Sequence, residues 1–260
     1  MTSWSWDKRI ARAEELAHTQ IAAAEILKFY IAIARFQKNV SSELKAADKS
    51  SVDTTILIPH FMPLLSLVRR TGPGPLSEAA KDLARDENTF QDLLVTAWDS
   101  DSGESSSSAA SEERYSFFAR ALLQPYAEHL ASRSDIALGV ARSTCPFCGE
   151  KPVAGVLRGE GEGAKRSLLC SLCSTEWDFR RIVCAGCGEE GVDKLPVYRA
   201  SRLDYVRVEA CDTCQTYIKS VDLTRNGLAV PVVDELATIS LNVWAEEKGY
   251  TKLQPNLLGM

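Results

Sequence analysis

The sequence predicts a multidomain α plus small β protein. An α-helical N-terminal domain is followed by two tandem zinc-ribbon-like four-cysteine modules and a C-terminal helix. Three observations predict this. All eight cysteines lie between Cys145 and Cys214, which divides the chain near residue 140. Before that point apolar residues recur at helical spacing; after it, short β-prone runs alternate with Gly-rich turns. A length of 260 residues suits one large domain or two to three small ones, since domains run to about 100–200 residues. The expected boundaries are 1–140 for the helical domain, 141–182 and 183–225 for the two metal modules, and 226–260 for the terminal helix and tail.

The first element expected is a long helix over 7–37. Ile10, Ala13, Ala17, Ile21, Ala24, Leu27, Ile31 and Ala34 fall on one face, and neither Gly nor Pro interrupts. Pro59, Pro63, Gly72, Pro73, Gly74 and Pro75 then punctuate the chain, so residues 53–75 are expected to hold a short helix at most. Ser77 is read as the N-cap of a second helix, with Leu83, Phe90, Leu94, Ala97 and Trp98 on its buried face. The polar run DSDSGESSSSAAS over 99–111 buries too little to offset its ordering entropy and is expected to be a mobile linker. Helical spacing returns through Phe118, Ala121, Leu122, Tyr126 and Leu130, where Pro125 should kink or divide the element.

In the second half, strands are expected at Val153–Leu157, Leu168–Cys170, Val197–Tyr198, Tyr205–Val208 and Tyr217–Val221, paired as hairpins. After Asn226-Gly227 a last helix should present Val232, Leu236, Ile239, Val243 and Trp244 on one face. Asp234 and Glu235 would serve the positive end of its dipole.

The cysteines form four Cys-x-x-Cys pairs: Cys145/Cys148, Cys170/Cys173, Cys184/Cys187 and Cys211/Cys214, separated by 21, 10 and 23 residues. Two long gaps around a short one describe a duplicated unit. Two cysteines three apart in a tight turn aim both sulfurs at one ion, and a second such turn completes a tetrahedron. The short middle gap suits a linker, so the first pair should join the second and the third the fourth. Gly149 and Gly188 follow their turns and can take positive φ, letting backbone N–H groups approach sulfur; CSLC and CDTC lack that glycine. Redox dithiols would want a βαβ setting, which is not visible. Sulfur tetrahedra suit zinc and a single iron equally. His18, His60 and His129 all lie in the other half, so mixed Cys/His sites are not expected. Four protein thiolates per ion leave no position for a reactive water.

A net charge of -5 argues against nucleic acid as the main partner, and eight basic against six acidic residues over 165–207 is no phosphate-binding stripe. No run of about 20 apolar residues exists, and no secretory signal is read at the N-terminus, so a cytoplasmic location is expected. GxSxG, HExxH, Walker A and GxGxxG motifs are absent, and the chain is expected not to be an enzyme.

At LCSLCSTEWDFRRIVCAGCG (169–188) and VEACDTCQTYIKS (208–220) the sequence resembles the formate dehydrogenase accessory protein family, FdhE-type. The run PVVDELATISLNVWAEEKGYTKLQPN (231–256) is similar to that family's C-terminal segment; RAEELA (12–17), FYIAIARFQ (29–37) and FFARALLQPYAEHLA (117–131) match more loosely. Asp234-Glu235 stands where the family tends to show two aspartates, and the Ser-rich segment has no counterpart. The resemblance implies a helical domain followed by two rubredoxin-like modules. It also implies iron at the cysteine motifs, with zinc the alternative. The implied role is maturation of formate dehydrogenase through its catalytic subunit in the cytoplasm. The rival readings are a zinc-ribbon adaptor binding nucleic acid or another protein, and a rubredoxin-like electron-transfer protein.

Trp177 and Tyr217 are read as module core rather than partner surface. Lys165-Arg166 and Arg180-Arg181 are read as solvated charges. Arg181 and Glu235, taken as exposed, are the candidate partner contacts.

Overall fold

The structure is a computed structural model that describes residues 4–44, 54–99, 109–135, 142–161, 163–201 and 203–260. Side chains at 54 and 109–114 are not among them. Most of the segment expected as a Ser-rich linker, and the chain around the expected boundary at 140, lie outside the described residues.

The N-terminal region is helical. Helices α1 (Trp6–Thr19) and α2 (Ala24–Glu43) replace the single helix expected over 7–37. The chain turns at Gln20, whose φ/ψ of -104/78 is not helical, and passes through a short 3-10 turn. Ion pairs Lys38–Asp7 (2.5 Å) and Arg35–Glu14 (2.6 Å) show that the two helices run back antiparallel. Hydrophobic spacing carries across the break because both helices bury a face, but Ile21 at the elbow is 86% exposed. Then come α3 (Thr54–Leu57), α4 (Phe61–Thr71), α5 (Gly74–Leu83), α6 (Thr89–Asp99) and α7 (Ala109–Ser132). The prolines do not stop α4: Pro63 sits in its first turn, where no N–H is needed. Helix α5 starts at Gly74 behind Pro73, so Ser77 is not its N-cap. Phe90 and Leu94 belong to α6, not to a continuation of α5. Helix α7 runs on through Pro125 undivided.

The C-terminal half is a mixed sheet. Its strands are β1 (Pro152–Glu160), β2 (Gly163–Cys170), β3 (Glu176–Asp178), β4 (Val197–Arg199), β5 (Val206–Cys211) and β6 (Thr216–Asp222), with β7 (Thr251–Lys252) from the tail. The order is β3-β2-β1-β6-β5-β4, and β7 adds to β6. Strands β1–β3 form one antiparallel unit and β4–β6 another. The two units are joined by parallel pairing of β1 with β6, from Ala154↔Lys219 to Leu157↔Asp222. Gly155 suits that close approach, because a Cβ there would meet Ser220 Oγ at 2.1 Å and Ser220 Cβ at 3.1 Å.

The terminal helix is two short ones, α8 (Pro231–Ala237) and α9 (Ile239–Glu247), broken at Thr238. Its Oγ1 donates to the Asp234 carbonyl (2.9 Å) and accepts from Lys219 Nζ (3.2 Å). Helix α8 is buried between the α1–α2 hairpin, which meets Val233, Leu236 and Ala237, and the sheet, where Val232 packs on the cluster of Val153, Ala154, Val156 and Leu169.

One core spans both halves. Phe118, Leu122 and Tyr126 of α7 cluster with Leu168, Trp177 and three cysteines of the first module. Trp177 and Tyr217 are both buried, as read from the sequence. Arg166 is not a solvated hairpin charge. It is buried, bonded to Glu209 Oε2 (2.5 Å) and to the carbonyls of Arg180 (3.0 Å) and Val183 (3.1 Å).

Candidate metal centre

Each four-cysteine cluster is made by two tight turns, the first in a loop and the second at the end of a strand, β2 for Cys170 and β5 for Cys211. In the first turn of each, the backbone closes identically. Cys145 N–H donates to the Glu150 carbonyl (2.8 Å) and Gly149 N–H to that of Cys145 (3.0 Å). Cys184 N–H donates to the Glu189 carbonyl (2.8 Å) and Gly188 N–H to that of Cys184 (3.1 Å). Gly149 and Gly188 have φ of 81° and 80°, the left-handed backbone that their sequence position suggested. The second turns reach the same conformation without glycine, at Ser174 (φ 52°) and Gln215 (φ 54°). Two residues past the last cysteine of each, a threonine hydroxyl lies against sulfur: Thr175 Oγ1 at 3.1 Å from Cys173 Sγ and Thr216 Oγ1 at 3.0 Å from Cys214 Sγ. The sequence reading missed these threonines, although Cys-Ser-Thr and Cys-Gln-Thr repeat in register.

The sulfurs gather as Cys145, Cys148, Cys170 and Cys173 in one cluster and Cys184, Cys187, Cys211 and Cys214 in the other, with the ligand atoms of each within 4.8 Å of one another. Sequential pairing of the four motifs therefore holds. In the first cluster Sγ–Sγ distances are 3.5 Å (145–173), 3.3 Å (148–170) and 3.5 Å (148–173); in the second they are 3.7 Å (184–214 and 187–211). A tetrahedral ion with metal–sulfur bonds of about 2.3 Å places its sulfurs about 3.8 Å apart, so both sets fit one ion with little movement. Backbone N–H groups of Phe147 (3.4 Å) and Leu172 (3.4 Å) face sulfur in the first cluster, and Gly186 (3.3 Å) in the second. Such donors offset thiolate charge. Hydrogen bonds from the other three cysteines hold the Cys145 thiol far below its ordinary range, while burial drives Cys170 and Cys173 up. In the second cluster burial pushes Cys184 up to about 12, whereas hydrogen bonds from Thr216 overcome burial and bring Cys214 down to about 7.

The clusters differ in setting. The first is seated in the shared core and tied to α7, where Arg120 pairs with Glu150 (3.0 Å) and Gln124 donates to the Ser171 carbonyl (3.0 Å). A half-buried chain continues from it: Ser174 Oγ donates to Glu128 Oε1 (2.7 Å), and Arg9 of α1 grips Glu128 with both terminal nitrogens (2.8 and 3.0 Å). The second cluster is at the surface, with Cys187 exposed.

Of the two candidate contacts, Arg181 is exposed but Glu235 is not. Glu235 has no exposed surface, because its carboxylate sits between Lys219 Nζ (2.9 Å) and Lys252 Nζ and accepts from Asn256 Nδ2 (2.8 Å). Its place at a helix start suggested solvent, but α8 is covered on both sides. Asp234 does serve the helix start, accepting from Val230 N–H (2.6 Å). It also pairs with Arg12 of α1 (2.6 Å) and accepts from Tyr205 Oη (2.9 Å).

Known proteins resemble the chain along its length. Residues 144–181 match the family model described as FdhE, central domain, and 182–258 the model described as FdhE, C-terminal domain. A protein named FdhE homolog from Aquifex aeolicus (strain VF5) is 30% identical over 235 residues, covering 88% of this chain and 81% of that protein. Another FdhE homolog, from Shewanella oneidensis, is 32% identical over 192 residues, 70% of this chain and 63% of that one. The crystal structure of the FdhE protein from Pseudomonas aeruginosa superposes with a TM-score of 0.70 at 23% identity, over 97% of this chain and 95% of that one, a likeness of fold.

Proposed function

The chain belongs to the FdhE family, and from that membership we propose that it is a non-enzymatic accessory factor for the maturation of formate dehydrogenase. It acts in the cytoplasm by binding the catalytic subunit through its metal modules. Among the described residues no helix is long and apolar enough to cross a membrane. Family membership carries the reading, and the pair of four-cysteine clusters built into one sheet supports its metal part.

Cys145, Cys148, Cys170 and Cys173 hold one ion, and Cys184, Cys187, Cys211 and Cys214 the other. Iron is the proposed metal in both, with zinc the alternative. A bound iron would supply a redox-responsive centre. The turns hold the ligands, and the threonines and backbone amides stabilise thiolate charge. Four thiolates on two turns fix the surrounding loops, which is how a module with a small core gains a rigid surface.

Anaerobic affinity purification with metal analysis tests the reading. It should return the formate dehydrogenase catalytic subunit and two iron ions per chain. Deleting the gene should lower formate dehydrogenase activity while leaving the catalytic polypeptide in the cell. If the subunit is not captured and the deletion leaves activity unchanged, the reading is wrong. Salt-sensitive nucleic-acid binding, or a reversible midpoint potential with a physiological donor, would then direct attention to the adaptor or electron-transfer alternative.

A further inference from the structure

The two cysteine modules repeat one unit, and a helix of this chain covers a face of the first. Besides the matching bonds of the first turns, Ser171 N–H donates to the Lys151 carbonyl (3.2 Å) and Asp212 N–H to that of Lys194 (2.9 Å). Counted from the cysteines, Glu150 corresponds to Glu189, Ser171 to Asp212, Leu172 to Thr213 and Ser174 to Gln215. In the first module these residues hold α7. Arg120, Gln124 and Glu128 stand four apart and form one stripe of that helix. Arg120 reaches Glu150 Oε1 (3.0 Å) and Ser171 Oγ (3.1 Å), and Gln124 donates to the Ser171 carbonyl (3.0 Å). Glu128 accepts from Ser174 Oγ (2.7 Å). Ser171 and Leu172 are buried beneath the helix.

In the second module the same face is open. Asp212, Thr213 and Gln215 are exposed, as are Cys187 and Gly188. The tail borders this face without covering it: Tyr250 Oη donates to Asp212 Oδ1 (2.6 Å) and Thr251 N–H to the Gln215 carbonyl (2.8 Å). Glu189 keeps the carboxylate that Arg120 meets in the first module, but has no ion-pair partner among the described residues. Its oxygens accept from Thr213 Oγ1 (2.7 Å) and from the N–H groups of Glu190 (2.9 Å) and Gly191 (2.8 Å). Asp212 adds a second carboxylate where the first module has the neutral Ser171. Lys194 stands near Glu189 without pairing with it, and Arg180 is engaged by Glu190. Four thiolates around a divalent ion add further negative charge. The face is therefore short of a cation where its counterpart receives one.

We propose that this face docks an α-helix of the formate dehydrogenase catalytic subunit, laid on the second module as α7 lies on the first. An arginine or lysine of that helix meets Glu189 and Asp212, and an amide side chain one turn on meets the Asp212 backbone. The proposal rests on the functional reading above and adds the docking face and the chemistry of the helix. The contact is separable, whereas α7 stays in place. Phe147 and Leu172 join the core beneath α7, but Gly186 and Thr213 stand at their positions in the second module. A polar contact of this kind suits a partner that binds and leaves.

The test uses the full-length, metal-loaded chain and the purified catalytic subunit. Thr213→Arg places a cation on the exposed face, and Glu189→Gln removes its charge while keeping an oxygen for the turn. Glu25→Lys on α2 is the control for a distant change of the same sign. Metal content and circular dichroism verify that each folds. Thr213→Arg should weaken binding at least tenfold, Glu189→Gln at least threefold and Glu25→Lys less than twofold. Glu189→Gln should also flatten the salt dependence. A photocrosslinker placed at Thr213 should label a helical segment of the subunit that carries Arg or Lys. If the subunit binds but both folded face variants stay within twofold, the docking proposal falls and the functional reading stands. The same holds if the crosslink lands on a segment without Arg or Lys, or on a second copy of this chain. If the unaltered chain does not bind the subunit, the functional reading fails and the docking proposal fails with it.

Discussion

Glu235 holds two ammonium groups at once, with no exposed surface of its own. Burial pushes its carboxyl toward the neutral form, but the charges of Lys219 and Lys252 outweigh burial and bring the pKa down to about 2. A carboxyl lowered from 4.5 stabilises the fold fully above about pH 4.5, and that contribution fades as pH falls toward 2. Burial already brings Lys219 down to about 8 beside that carboxylate, so Glu235→Gln strips Lys252 of its counterion and drives Lys219 toward its neutral form, and should cost about 3–5 kcal/mol in urea unfolding at pH 7. The gap between variant and wild type should narrow below about pH 4.5, because glutamine has no carboxylate to protonate; a gap independent of pH would contradict the assignment. A second residue-scale test is conformational. At Gly188 a Cβ would meet nothing within 4 Å, yet φ is +80°. Gly188→Ala should therefore cost about 1–2 kcal/mol through the backbone alone, read as a lower unfolding midpoint of the metal-loaded chain.

At the scale of elements, the pairing of β1 with β6 turns two ribbons into one sheet. Gly155 permits it by leaving room for Ser220. Gly155→Val places a branched side chain whose first carbon would lie 2.1 Å from Ser220 Oγ and 3.1 Å from its Cβ, so the parallel ladder is expected to be strained apart. The expected result is that thermal unfolding of the metal-loaded variant splits into two transitions, where the wild type shows one. A single transition at the wild-type temperature would mean the pairing contributes little. None of this was legible beforehand. The strands themselves could be read from β-prone runs, but a lone glycine in a strand does not announce which neighbour it makes room for. The elbow at Gln20 was hidden for a related reason: apolar spacing persists across a bend when both arms pack on the same core. At Thr238 the two arms part, α8 packing with the α1–α2 hairpin and α9 placing Leu241 and Ala245 against β5 and β6, so Val243, expected on the buried face, is 52% exposed.

At the scale of the whole molecule, the two clusters should behave differently when metal is removed. The first shares a core with α7, and the Arg9–Glu128–Ser174 chain connects it to α1. The second exposes Cys187. Chelator should therefore extract metal in two phases, the faster from the second cluster. Cys187→Ser should leave one ion per chain and nearly all the helical circular dichroism. Cys145→Ser should also leave one ion, but with lower helical signal and a lower melting temperature, since emptying that site loosens the core beneath α7. Equal loss of helix from both variants would show that the shared core does not couple the site to the helices.

The sequence by itself determined the division into a helical half and a cysteine half, and the sorting of eight cysteines into two sets. Both follow from local rules: helical and strand periods repeat within a few residues, and two sulfurs three apart in one turn have one useful arrangement. The left-handed glycines after the first turns were legible on the same ground. Only the tertiary structure decided which charges are buried. Glu235 reads as a surface helix start, and Arg166 as a hairpin tip, until α8 is seen between hairpin and sheet and β2 beside the second module. Burial of a charge depends on partners far along the chain: Arg12 meets Asp234 222 residues away and Arg9 meets Glu128 119 residues away. No local pattern specifies such pairs, because the desolvation that makes them necessary arises only when the elements pack.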